Sequence, residues 1–255
     1  MRGYRDRALV VRRYQLGEAD RILVLLTQDH GLVRAVAKGV RRTRSRFGSR
    51  LDPFTDIDVQ LYPGRSLATI TQADTVETWA AAIVDDYPKY TAACAVLESA
   101  ERFAAEVHGP QHELWQLTRA ALAEIARTIR MPALVLDSYL LKAMGLAGWQ
   151  PSLVDCSQCG APGPHTAFHA PSGGAVCVQC RPPGAATPPP EAVRLMWWLA
   201  NDAWPAVDAA ATEPGFMDIV ARARTLVQGL VQWHLERGVR ALNFVEVQMP
   251  GTMNT

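Results

Sequence analysis

The stretch Arg21-Ile22-Leu23-Val24-Leu25-Leu26-Thr27-Gln28-Asp29-His30-Gly31-Leu32-Val33-Arg34-Ala35-Val36-Ala37 decides the fold of the N-terminal part. An apolar run comes first, then a short polar connection ending in glycine. The second run alternates Leu32, Arg34 and Val36 against Val33, Ala35 and Ala37, so the pair predicts two strands joined as a hairpin. Upstream, residues 7–14 are a further β-type run, closed by the turn-like Gln15-Leu16-Gly17-Glu18-Ala19-Asp20. Downstream, residues 54–62 alternate Ile57, Val59 and Leu61 against Asp56, Asp58 and Gln60. Pro63-Gly64-Arg65-Ser66 turns the chain, and residues 67–76 read as a fifth strand. Five short strands with the longest link after the third predict a small closed barrel of the OB type. An SH3-like barrel competes on pattern alone.

Beyond Trp79 the period becomes helical. Ile83, Tyr87, Tyr90, Cys94, Leu97, Phe103 and Val107 fall on one stripe, ended by Gly109-Pro110. Leu114, Leu117, Ala121, Leu122, Ile125 and Ile129 mark a second helix. Pro132 suits the first turn of a third, which stops at Gly145 or Gly148. Residues 151–186 lose the period and are rich in Pro, Gly and Cys. Residues 181–190 hold five prolines and read as a stiff linker. Val193, Met196, Trp197, Ala200, Trp204 and Val207 then predict one helix, and Phe216, Ile219, Val220, Ala223, Leu226, Val227, Leu230 and Leu235 another. The expected fold class is α+β. Residues 1–80 are expected to form an OB-type barrel, and residues 81–255 a helical domain with a four-cysteine insert at 151–186.

The chain of 255 residues is 49% hydrophobic and 20% charged, as expected of a soluble globular protein. The net charge of +1 hides an asymmetry: residues 1–80 carry 14 Lys+Arg against 9 Asp+Glu, leaving 12 against 16 for the rest. That split points to a basic, nucleic-acid-facing part and an acidic remainder. The acidic pair Asp85-Asp86 is read as a solvated face or, equally, as a surface that receives a basic partner. No apolar run is long enough to span a membrane, and the N-terminus does not read as a secretory signal. Four of the five cysteines sit in Cys-x-x-Cys pairs, so a reducing, cytoplasmic compartment is expected.

Cys156-x-x-Cys159 and Cys177-x-x-Cys180 are separated by 17 residues, the spacing of a four-cysteine zinc site. Each pair lets two thiolates converge on one cation, and two pairs complete a tetrahedron with no open position. The reading is therefore one structural zinc ion per chain; two dithiols without metal are the plainer alternative. Gly160, Gly173 and Gly174 permit the tight backbone. His165 and His169 are read as loop residues, since four cysteines already close the site. The H-x-E and H-E-x-x-H arrangements of catalytic zinc are not found in the required places. Cys94 is read as a small core residue.

Residues 34–50 contain Arg34, Lys38, Arg41, Arg42, Arg44, Arg46 and Arg50, with no acidic residue among them. Seven like charges repel one another unless an anion is near. On a barrel loop they are read as phosphate contacts, against the plainer reading of a solvated basic loop. Phe47 either stacks on a base or caps the barrel. Trp197 and Trp204 are placed in the core and Trp198 on the surface. Phosphate-binding glycine loops and nucleophile elbows are missing, so no catalytic residues are assigned.

Together these motifs resemble a known family. Gly17-Glu18-Ala19-Asp20-Arg21-Ile22, then Ala37-Lys38-Gly39-Val40-Arg41-Arg42 running through Ser45-Arg46-Phe47 to Leu51-Asp52-Pro53-Phe54, and the four-cysteine insert in a helical domain are similar to the bacterial DNA-repair family RecO. The ending from His234-Leu235-Glu236-Arg237 to Leu242-Asn243-Phe244 resembles that family's C-terminal helix and tail. The cysteines alone would not carry the resemblance, because some members lack them. The resemblance implies a recombination mediator, not an enzyme. It would bind single- and double-stranded DNA, anneal complementary strands, and work with RecR to help load RecA on strands coated by single-strand binding protein (SSB). The helical domain would engage the SSB C-terminal tail. A cytoplasmic protein, nucleoid-associated during repair, is implied. An RNA-binding protein with an OB barrel and zinc knuckle is the alternative; a zinc hydrolase or a pure protein adaptor fits less well.

Overall fold

The computed structural model describes residues 2–45, 47–106, 109–127, 130–235 and 238–247. The chain forms two compact units, Met1–Thr128 and Ile129–Thr255.

The first unit opens with β1 (Tyr4–Leu16), β2 (Asp20–Thr27), β3 (Gly31–Ala37), β4 (Thr55–Tyr62) and β5 (Ala68–Thr78). They close into a barrel in the order β1-β2-β3-β5-β4. β1 pairs antiparallel with both β2 and β4, and β3 runs parallel to β5. This is the OB arrangement rather than the SH3-like one. A register shift between Val10 and Arg12 marks a bulge where β1 passes from one partner to the other. Ala8, Val10, Leu23, Leu25, Ile57, Val59, Leu61 and Ile70 fill the interior, as their alternation requires. The link between β3 and β4 adds Val40, Phe47 and Leu51 to the same core.

Leu9, Val11, Val24 and Leu26 alternate with those interior positions and are also buried. Their cover comes from the helices that follow: α1 (Ala80–Val84), α2 (Tyr87–Glu106) and α3 (His112–Arg127). α2 packs on β1, β2 and β3, and α3 on β1 and β2. The unbroken apolar run Ile22-Leu23-Val24-Leu25-Leu26 is thus a strand buried on both faces. Packing therefore keeps α1, α2 and α3 in one compact unit with the barrel.

The single helical run expected from residue 79 breaks at Asp85-Asp86. Asp86 Oδ1 accepts the Lys89 N–H at 3.0 Å and caps α2, so this acidic residue has a local structural role. α2 buries Ala92, Ala95, Val96, Ser99, Ala100 and Phe103, while Tyr87 and Tyr90 are exposed and Cys94 is half-buried. The expected stripe holds at Ile83, Leu97 and Phe103, which are buried, and is corrected at Tyr87, Tyr90 and Cys94, where small side chains take the buried face and allow close approach. Val107 and Ile129, assigned to these stripes, lie outside the described residues.

The second unit contains α4 (Pro132–Leu146), β6 (Ala167–His169), β7 (Gly174–Val176), α5 (Pro190–Ala200), α6 (Trp204–Ala210) and α7 (Phe216–His234). Pro132 opens α4, which is buried on nearly every side and packs on α5 and α7. Inside it, Arg224 of α7 donates to Asp137 of α4 at 3.1 Å, both side chains being almost fully buried. The helix expected across residues 193–207 is two helices. Asp202 takes φ 55° between them, a conformation that ends a helix. α5 buries Ala192, Leu195, Met196 and Leu199, so Trp197 is exposed and Trp198 is partly buried, the reverse of the expectation. The apolar seam is offset by one position from the indole spacing.

Candidate metal centre and nucleic-acid interface

The basic link leaves β3 at Ala37 and is fastened immediately. The Gly39 N–H donates to Asp20 Oδ1 at 2.7 Å, and the Arg41 N–H to the Ala19 carbonyl at 3.0 Å. The Arg41 guanidinium reaches the Gly17 carbonyl at 3.3 Å. The Gly-Glu-Ala-Asp turn after β1 and the Lys-Gly-Val-Arg-Arg segment are therefore one structural feature. Successive turns follow, with Ser45 N–H donating to the Arg42 carbonyl and Arg50 N–H to the Phe47 carbonyl. Val40, Phe47 and Leu51 point into the barrel, and Phe47 is 1% exposed. Phe47 therefore caps the barrel; the alternative of base stacking is corrected. Arg34, Lys38, Arg41, Arg42, Arg44 and Arg50 are all exposed. Arg46 lies outside the described residues.

Buried apolar side chains thus alternate with exposed cations along a link that has no regular secondary structure. The buried anchors tie the link to the barrel core and leave the charged side chains exposed between them. Two arginines not singled out from the sequence join it. Arg13 donates to Asp52 Oδ1 at 2.5 Å and Arg21 to the same oxygen at 3.3 Å. Asp52 follows the link, but nothing in the local pattern announces that β1 and β2 deliver arginines there.

The four insert cysteines converge. Their sulfurs all lie within 4.8 Å of one another, and among the described residues no histidine or carboxylate joins them. The Cys159 and Cys177 sulfurs are 3.8 Å apart. A tetrahedron with Zn–S of about 2.3 Å has edges of about 3.8 Å, so this edge has the size zinc needs. Cys156 Sγ accepts the Cys177 N–H at 3.3 Å. Backbone donors, Cys177 first, pull the Cys156 thiol down to about 6. Contacts with the other sulfurs, Cys177 first, push Cys180 up to about 12.

The backbone is built for this convergence. Gly160 takes φ 71° just after the first pair. Gly174, at φ 137°, lies so close to Ser152 that a Cβ would stand 2.1 Å from its carbonyl oxygen. His165 Nε2 meets the Ala161 carbonyl at 2.9 Å, and His169 Nδ1 meets Ser172 Oγ at 2.8 Å, so both histidines are engaged away from the cluster. Ala167 and Val176 pack against Cys156 and Cys177 in a small core of their own.

Among the described residues no helix is long and apolar enough to cross a membrane. Comparison with known families matches residues 1–79 to Recombination protein O N terminal and residues 84–243 to Recombination protein O C terminal. The two matches span nearly the whole chain and run through both the cationic barrel and the four-cysteine insert. The chain belongs to the recombination protein O family, a family that acts in DNA recombination and repair.

Proposed function

We propose that this protein is a DNA-binding recombination mediator that binds single- and double-stranded DNA and anneals complementary strands. The observation that carries this reading is the anchored cationic link. Arg34, Lys38, Arg41, Arg42, Arg44 and Arg50 are exposed while the interleaved Val40, Phe47 and Leu51 are buried. Arg46 belongs to the same proposed set. Annealing requires two polyanions to be held close together. A fixed cationic face neutralises phosphates and releases their counterions, without reading sequence. Held this way, strands keep their base edges free to pair. The action needs no bond to be made or broken, and no catalytic residue is proposed.

In the family setting the mediator works with RecR, engages the SSB C-terminal tail through the helical domain, and helps load RecA on SSB-coated strands in the cytoplasm, at the nucleoid. Zinc, one ion per chain, fits Cys156, Cys159, Cys177 and Cys180. With four thiolates around it there is no open position, so its contribution would be to the folding of the insert.

The test is annealing of complementary DNA oligonucleotides coated with the cognate SSB. Acceleration by the protein is the expected result. No acceleration, with tighter binding to RNA than to DNA of equal length, would replace this reading with an RNA-binding one.

A further inference from the structure

The phosphate-binding link accounts for charge but not for the exposed aromatic side chains beside it. Tyr87 and Tyr90 of α2 are 54% and 42% exposed and stand three residues apart, adjacent on one helix face. They lie off the buried face of α2, which is made by Ala92, Ala95, Val96, Leu97, Ala100 and Phe103. They adjoin the end of the cationic link. Arg13 and Arg21 converge on Asp52 there, and two residues later the Phe54 ring meets the Tyr90 ring edge-on at a centroid distance of 5.9 Å. Phe54 is buried and takes φ 64°, a strained conformation for a side chain of that size. Such strain persists only where the surroundings over-determine it, and it concentrates at binding sites. Here it fixes the ring that braces Tyr90. The Tyr90 hydroxyl is pushed above its ordinary range, first by the neighbouring Cys94 sulfur, and drawn back by the Arg13 guanidinium. Tyrosine and arginine are therefore near neighbours on this surface.

Exposed aromatic rings at the edge of a cationic track are the two components that single-strand binding combines: charge follows the backbone and rings take the bases. We propose that Tyr87 and Tyr90 form a base-stacking platform for single-stranded DNA, continuous with the cationic link through Arg13, Arg21 and Phe54. This deepens the DNA-binding reading and rests on it. The platform holds unpaired bases out of the way of the phosphate contacts. A duplex, whose bases are already stacked, gains nothing from it.

The experiment compares binding of a thymidine oligomer of about 16 nucleotides, the upper end of the site size of one OB barrel, with an abasic oligomer of equal length and charge. The protein is expected to favour the thymidine oligomer by roughly 5- to 30-fold. The double variant Tyr87→Ala with Tyr90→Ala should bring the two affinities together while abasic and duplex binding stay as they were. Tyr90→Leu with Tyr87→Ser keeps an apolar group against Phe54 and should do the same should the alanine pair prove poorly folded. A base preference that survives either double variant overturns the platform, as does its absence from the unaltered protein. Loss of all DNA binding in Arg41→Glu with Arg42→Glu, with the tyrosine variants still preferring bases, would overturn the platform alone. Full binding by that arginine variant would overturn the underlying reading instead.

Discussion

Arg119 of α3 donates through Nε to Oδ2 of Asp56 at 2.9 Å, although 63 residues separate them and Asp56 has no exposed surface at all. Arg7 of β1 pairs with the same carboxylate, and Arg119 also reaches Glu77 of β5 at 2.6 Å. The Arg119 guanidinium lies over the Trp79 ring, and that of Arg7 over Trp115. A helix outside the barrel thus supplies half of the counter-charge for a carboxylate buried in its wall.

Arg119→Met should therefore destabilise the first unit by about 3 kcal/mol, because it leaves a buried carboxylate under-paired. Urea denaturation followed through the unit's tryptophans measures this. A fragment of residues 1–80 should be far less stable than one of residues 1–128, since Leu9, Val11, Val24 and Leu26 lose their cover.

Two variants of the basic link should have opposite consequences. Arg41→Glu with Arg42→Glu should weaken single-strand binding roughly 10- to 100-fold with the fold intact, losing only the exposed Arg41–Gly17 contact. The log–log salt slope, about −4 for six phosphate contacts, should become shallower by about 1.4. Phe47→Ala should instead leave the charges in place and cost about 3–5 kcal/mol of stability, because it empties part of the barrel core. Anisotropy titrations across salt concentrations, paired with thermal melts, separate the two effects.

The metal reading predicts one zinc ion per chain by elemental analysis. Cys156→Ala should bring that ratio close to zero, because three thiolates no longer close the tetrahedron. Chelation should loosen residues 151–186 while the barrel melts as before, which amide exchange would resolve. An unchanged ratio in the alanine variant would refute the four-cysteine site.

The buried pair Asp137 and Arg224 gives a pH-dependent prediction. Burial pushes the Asp137 carboxyl up to about 6, the Arg224 charge partly opposing it. The unfolded chain releases that proton near 3.9, so the folded state holds more protons between about pH 4 and pH 6. This group's contribution to stability is full below that window and is lost as pH rises through it. Replacing the pair together, Asp137→Leu with Arg224→Met, should flatten this slope. Arg224→Met alone should cost about 3–5 kcal/mol at neutral pH, more than the double replacement. Denaturation at a series of pH values checks both.

The sequence by itself determined what local periodicity carries. The alternation around Ile57, Val59 and Leu61 defines a strand without help from distant residues, and the spacing of Cys156, Cys159, Cys177 and Cys180 defines a tetrahedral set. The charge of the link was equally plain, because like charges need no partner to be counted. Tertiary structure alone decided the rest. Whether Phe47 stacks or plugs depends on a cavity formed by strands far away in the chain. Which side of α2 or α5 is buried depends on the shape of the neighbouring surface, and small residues such as Ala92 and Ala95 won over the larger Tyr87 and Tyr90 because a close approach favours them. The counter-charge on Asp56, the arginines on Asp52 and the parallel pairing of β3 with β5 are contacts between segments that share no local pattern. Burial and pairing across such distances are properties of the closed barrel and its covering helices, so they exist only once the chain has folded.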